Sequence, residues 1–316
     1  MKKITALILG LMLSVNLFAQ GAQVALMGYG SSTLNIIDMQ TKQSVWSYVF
    51  PTPSDYKGNS VFLLEDGEHL VVSTSATAQV ISLKTKEKVW EYRPSGGPKS
   101  YEIHAVVPTK GGGFSVFVCK TPVEVIEVSK DFEIKNKLKF TELKGETDPH
   151  QMFRLASTDK KGNYLLPWYG DQTICRISPK GKIIDAYKVN VDAFGVTELS
   201  NGNLLYTSGN TPVIFEYDVK KKKVVKEIKT YQKEGKRAWM QYAGQVELIG
   251  EDKYLVPNWT GHSKQKRASR TDYFPVLMIL DSKGEISWDL SFQQATAMGV
   301  QKGFSGYYYS EKPIVK

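Results

Sequence analysis

The sequence predicts an all-β chain, a six-bladed β-propeller of four-stranded antiparallel blades. Three observations lead there. The stretch from Asp38 to Tyr48 returns as Ser82 to Tyr92, so that Trp46 recurs as Trp90, 44 residues on. Asp281-Ser-Lys-Gly-Glu-Ile-Ser-Trp288 repeats its ending, and Ser178-Pro-Lys-Gly-Lys-Ile-Ile184 carries the same turn without the Trp. Between these landmarks lie short β-branched and aromatic runs punctuated by Gly, Asp and Asn. A period in the low forties built from such runs is that of a blade with four strands.

In chain order, residues 1–19 read as a secretory signal. Lys2 and Lys3 form a basic start, Ile4 to Leu13 an apolar core, and Ala19 a small residue before Gln20. The core is shorter than the roughly 20 residues of a membrane span. The expectation is therefore a protein delivered to the periplasm or secreted, with no membrane span, monomeric, and with residues 20–316 as a single propeller domain. Blade one supplies three strands near the N-terminus, Gln23 to Gly28, Leu34 to Met39 and Val45 to Phe50. A fourth, innermost strand is expected from the C-terminal part, around Thr296 to Gln301, closing the ring without a free sheet edge. The tail from Phe304 onward, with Tyr307-Tyr-Tyr309, is expected to cover the base of the ring or contact a partner.

Blade two reads Ser60 to Leu64, His69 to Thr74, Gln79 to Leu83 and Lys88 to Tyr92, turning at Asp66-Gly67. Blade three spans Glu102 to Phe140, blade four His150 to Val189, blade five Phe194 to Ile228 and blade six Gln241 to Phe292. A seven-bladed ring is the alternative, because the segment from Trp259 to Phe274 is long enough to hold further strands.

The turn Asp-x-x-Thr-Lys-x-x-Val-Trp-x-Tyr, followed by the next strand, resembles the PQQ-like β-propeller repeat superfamily. The match covers about half of the chain, since blades three to five lack the Trp. The resemblance implies that Trp46, Trp90 and Trp288 pack between neighbouring blades. It does not extend to a quinone: the adjacent cysteine pair of the quinoprotein dehydrogenases is missing, and no cofactor is expected. Cys119 and Cys175 are expected to be buried free thiols, although an oxidising compartment leaves a disulfide open.

The formal charge is +9, from 41 Lys and Arg against 32 Asp and Glu, and +7 without Lys2 and Lys3. Much of the excess sits in Lys220 to Lys223 and in Lys264 to Arg270. Lysines on an outer hairpin keep a sheet edge from pairing with other chains, and an exported protein is not expected to meet nucleic acid. No nucleophile elbow, phosphate loop, HExxH or Cys/His zinc spacing occurs, so no metal site is predicted from motifs.

Binding groups of a propeller collect in the loops at one end of the ring. His104 and His150 lie at or just before the first strands of blades three and four and are the candidate catalytic residues, as bases or ligand contacts. Asp148 could orient His150, but Pro149 between them aims the two side chains differently. Candidate ligand-binding residues are Tyr169 and Asp171 in blade four, Trp239 and Tyr242 entering blade six, and Trp259, His262, Arg267, Arg270 and Tyr273 in its long loop. Pro167-Trp168-Tyr-Gly170 and Pro257-Asn-Trp259-Thr-Gly261 echo each other: a strand ends at Pro, then an aromatic emerges. Aromatic rings beside Arg suit a glycan, above all an anionic one. The sequence thus favours a non-catalytic propeller binding a glycan or a protein segment. An enzyme of the polysaccharide lyase or sulfotransferase kind, using the two histidines, is the competing possibility.

Overall fold

The computed structural model describes residues 21–28, 30–53, 57–97, 99–144, 146–209, 213–229, 240, 242–259, 275–300 and 304–315. They form six four-stranded antiparallel sheets arranged as the blades of a propeller. Blade one contains β1 (Gln23–Gly28), β2 (Thr33–Asp38) and β3 (Gln43–Val49). Blade two is β4 (Gly58–Leu63), β5 (His69–Thr74), β6 (Ala78–Ser82) and β7 (Lys88–Tyr92). Blade three is β8 (Glu102–Pro108), β9 (Phe114–Cys119), β10 (Val123–Val128) and β11 (Ile134–Phe140). Blade four is β12 (Ser157–Thr158), β13 (Tyr164–Trp168), β14 (Thr173–Ile177) and β15 (Ile183–Lys188). Blade five is β16 (Ala193–Glu198), β17 (Leu204–Ser208), β18 (Val213–Asp218) and β19 (Lys223–Lys229). Blade six is β20 (Glu247–Gly250), β21 (Lys253–Pro257), β22 (Pro275–Leu280) and β23 (Ile286–Ser291).

The ring closes between its ends, but not where the sequence suggested. The innermost strand of blade one is β24 (Phe304–Ser310), which pairs with β1 from Gln23↔Ser310 to Gly28↔Phe304. The segment expected to close the ring begins instead inside α2 (Phe292–Ala297), where Ser291 and Gln294 form a reciprocal capping box. The tyrosine run is strand, as its β propensity favours, rather than a cover over the base. Gln23 locks the seam: its Oε1 accepts from the backbone N–H groups of Ile314 (2.8 Å) and Val315 (3.0 Å). Two other boundaries shift. His150 sits in a helical turn, α1 (Pro149–Met152), ahead of the first strand of blade four, and blade six starts at Glu247 rather than Gln241.

Middle strands are buried on both sides, β1, β6, β9 and β22 throughout. That is why they read as continuous apolar runs rather than alternating ones. Outer strands alternate, as β3 does, with Trp46 its one buried residue. Among the described residues six large apolar clusters lie one at each blade–blade interface. Trp46 Nε1 donates to Leu83 O (2.9 Å) across the first interface, and Trp288 Nε1 to Met39 O (3.0 Å) across the closing one. Trp90 meets Phe114 of blade three edge to face at 5.2 Å.

The repeat extends to blades without the Trp. The hairpin between the two outer strands places a residue in the left-handed region in every blade: Lys42, Lys86, Phe132, Gly181, Lys222 and Gly284. The cross-strand pairs next to it are Ile36↔Trp46, Val80↔Trp90 and Ile279↔Trp288 in blades one, two and six. In blades three, four and five the same register holds Glu127↔Asn136, Arg176↔Asp185 and Glu216↔Lys226. Half of the ring thus exchanges an apolar pair for a polar one without changing the backbone. Cys119 and Cys175 are both buried and free, in the cluster between blades three and four. Among the described residues no helix is long and apolar enough to cross a membrane.

A candidate ligand site on the loop face

The first strand of several blades begins with a bulge. One residue is unpaired between Gly58 and Ser60, between Ile103 and Ala105, and between Ala193 and Gly195. The bulged residues are Asn59, His104 and Phe194, and each reaches the next blade. Asn59 Nδ2 donates to Ile103 O (2.8 Å), His104 Nδ1 contacts Phe153 O, and Phe194 packs edge to face on Tyr242 at 5.1 Å. Counted back from the paired Ser157, Arg154 holds the equivalent place ahead of blade four. Bulges re-aim side chains near functional sites. These equivalent positions put an imidazole and a guanidinium at the starts of neighbouring blades.

Glu102, two residues before His104, joins them. Its Oε2 lies 2.5 Å from His104 Nε2 and 3.0 Å from His150 Nδ1, so one carboxylate oxygen serves two imidazoles. His104 is 2% exposed, whereas the His150 side chain is 37% exposed and accessible to a ligand. Asp148 does not orient the His150 ring. It caps α1 by accepting from the His150 backbone N–H at 3.0 Å, which leaves the imidazole to Glu102. Burial opposes ionisation of Glu102, but the hydrogen bonds with His104 and His150 outweigh it and hold the carboxyl well below its usual range. Burial and the Arg154 charge push the His104 imidazole down to about 4. Burial likewise raises the thiol of Cys119, whose Sγ lies 3.3 Å from His104 Nδ1, well above its ordinary value.

Arg154 is the group the sequence did not single out. Its guanidinium donates to the carbonyls of His150 and Phe153, sits 3.2 Å from His104 Nδ1, and lies over the Tyr169 ring at 5.7 Å. Among the described residues no carboxylate comes within 4.0 Å of it. Tyr169 opens the 3-10 turn Tyr169–Asp171, and its phenol is pushed up by burial.

The remaining predicted positions divide. Tyr242 and Trp259 are buried, stacked edge to face at 5.0 Å in a small cluster with Leu155 and Phe194. Buried Asn258 fixes them, accepting from Tyr242 N–H at 3.1 Å and donating to Pro275 O at 2.9 Å. Gly209 has to lack a side chain, because a Cβ there would stand 2.2 Å from the Tyr242 ring. Leu155 N–H donates to Phe194 O (3.0 Å), which ties this aromatic cluster to the residue next to Arg154. Asp171 is exposed and pairs with Lys188 at 3.1 Å. Trp239, His262, Arg267, Arg270 and Tyr273 lie outside the described residues. Glu102 had a legible signal: residues i and i+2 of a strand share a face, and a Glu-x-His at a strand entrance is such a pair.

The comparisons with known proteins agree on the fold. A protein of unknown function from Bacteroides caccae superposes with a TM-score of 0.77 over 92% of this chain and 98% of its own, at 23% identity. An inactive histidine-to-alanine variant of virginiamycin B lyase from Staphylococcus aureus, solved with quinupristin, gives 0.56 over 88% of this chain and 87% of its own, at 12% identity. The nidogen/laminin complex supplies a third match, 0.62 over 92% of this chain and 100% of that one, also at 12%. At these identities the likeness is one of fold, and the resemblance to PQQ-like repeats holds at the level of the propeller. No curated protein sequence matches the chain. A family model does, over residues 32–250, and the chain belongs to the Mal s 1 allergenic protein-like family.

Proposed function

We propose that the protein is an exported propeller that binds an acidic ligand, an anionic glycan foremost, on the loop face around Arg154. The observation that carries this is the state of Arg154. A half-buried guanidinium held by carbonyl oxygens, with no carboxylate within 4.0 Å among the described residues, has donors to offer an incoming anion. Arg presents carboxylates and sulfates with paired donors. The Tyr169 ring beneath it and the half-exposed His150 beside it add an apolar face and a polar edge, the usual mixture of a ligand site. Arg267 and Arg270 are proposed as further anchors from the sequence. Export rests on Lys2, Lys3 and the apolar run to Leu13. Mass spectrometry of the mature chain would test it, with Gln20 expected as the first residue.

Titration with uronate-containing and neutral oligosaccharides, followed by intrinsic fluorescence, tests the binding itself. Wild type should prefer the acidic sugars, and Arg154→Ala should weaken that binding at least tenfold. Equal affinity of both proteins for every sugar tried would remove the proposal. The Glu102–His150 pair at 3.0 Å favours one second reading, a lyase. A carboxylate behind an accessible imidazole is the arrangement of a general base, and Arg154 could neutralise the carboxylate beside the proton removed. Formation of unsaturated product, lost in His150→Ala, would distinguish catalysis from binding.

A further inference from the structure

We propose that Glu102, His104 and His150 form a binding site for one divalent transition metal ion, zinc being the best match to two imidazoles and a carboxylate. The donor atoms of the three side chains lie within 4.8 Å of one another, with contacts of 2.5 and 3.0 Å along the two edges through Glu102. A tetrahedral zinc ion with bonds of about 2.0–2.2 Å spaces its ligands by roughly 3.3 Å. Small side-chain adjustments would therefore let the three converge on an ion.

The bulge repeat orients the His104 ring. At the equivalent place in blade two, the Asn59 amide donates to Ile103 O. His104 Nδ1 faces Phe153 O at the same place in the repeat, which turns Nε2 toward the Glu102 carboxylate. An ion bound here would replace the proton shared between Nε2 and the Glu102 carboxylate. An imidazole fixed through its other nitrogen by a backbone carbonyl is also how metal-binding histidines are oriented. His150 approaches the same Glu102 oxygen from the accessible side, leaving room for water or a ligand as a fourth donor. Three protein ligands with one open position characterise metal sites that act on ligands rather than merely hold structure.

Arg154 opposes the ion, since its guanidinium lies 3.2 and 3.4 Å from the two His104 nitrogens. This gives the metal site and the anion anchor opposite responses to one substitution. The proposal does not depend on an acidic ligand being bound.

The test uses the metals alone. Chelator-stripped full-length protein is titrated with Zn(II) by calorimetry and with Co(II) by visible absorption, for wild type, His150→Ala, Glu102→Gln and Arg154→Met. Wild type should take up one ion per chain and develop Co(II) ligand-field bands of a four- or five-coordinate site. His150→Ala and Glu102→Gln should lose at least a hundredfold in affinity, with circular dichroism verifying that both stay folded. Arg154→Met should bind the ion at least as tightly as wild type. No saturable uptake, unchanged uptake in His150→Ala and Glu102→Gln, or loss of uptake in Arg154→Met would each overturn the proposal. Because the anionic ligand needs Arg154 and the ion does not, failure of one idea leaves the other standing.

Discussion

Blade four and its approach contain two guanidiniums withdrawn from solvent, and they are treated in opposite ways. Arg176, on the outer-hairpin side, is surrounded by carboxylates: Asp159 at 3.1 Å, Glu198 at 2.9 Å and Asp185 at 3.5 Å. Tyr187 Oη adds a contact at 2.7 Å. Arg154, on the loop side, has carbonyls, an imidazole and an aromatic face instead. The first arrangement sets three carboxylates against one charge and joins blade four to blade five. The second leaves a charge only partly compensated, with donors free for the proposed ligand. The difference is what points the proposed site to the face around Arg154.

The largest expected effect comes from the compensated side. Arg176→Met leaves nearly buried Asp159 and Glu198 without their counter-charge, and should destabilise the protein by about 3–5 kcal/mol in urea unfolding. Indifference to that change would deny the Arg176 cluster its structural role.

A third withdrawn charge, Glu247, sharpens the contrast, because it is relieved by protonation. Burial pushes its carboxyl up to about 7, partly offset by a hydrogen bond with Tyr307. A folded-state value above the unfolded one, about 4.3, means that stabilisation is complete below pH of about 4 and is lost as the pH rises to 7. Allowing for partial solvation, the loss should be about 2 kcal/mol. Glu247→Gln should flatten that slope in unfolding curves recorded between pH 4.5 and 8. A slope identical to that of wild type would mean that the carboxyl is ionised in the folded protein.

Trp46→Phe gives the scale of a single interblade hydrogen bond, leaving Leu83 O unsatisfied at a cost of about 1–2 kcal/mol. Smallest of all should be the stability effect of Arg154→Ala, within about 0.5 kcal/mol of wild type in the same unfolding assay. A loss there comparable to that of Arg176→Met would break the comparison and make Arg154 another structural charge.

The strands of blade two were legible almost to the residue, because alternation, β-branching and the Asp-Gly turn act locally. The Trp repeat was legible for the same reason, as a side-chain pattern tied to a left-handed turn. Blades three to five hid the repeat: Asn136, Asp185 and Lys226 keep the register while changing the chemistry, so only pairing reveals the equivalence. His104 and His150 stood out as rare residues at strand entrances. Arg154 did not, because one arginine among 41 basic residues carries no local mark.

By itself the sequence determined the propeller class, six blades ahead of seven, and the strand chemistry, since short-range periodicity and turn residues specify these. Tertiary structure decided for six blades, which C-terminal segment closes the ring, the sharing of one Glu102 oxygen by two histidines, and the lack of a carboxylate beside Arg154 among the described residues. These depend on contacts between blades, 48 residues apart for Glu102 and His150, and distance in space is what a local pattern does not record.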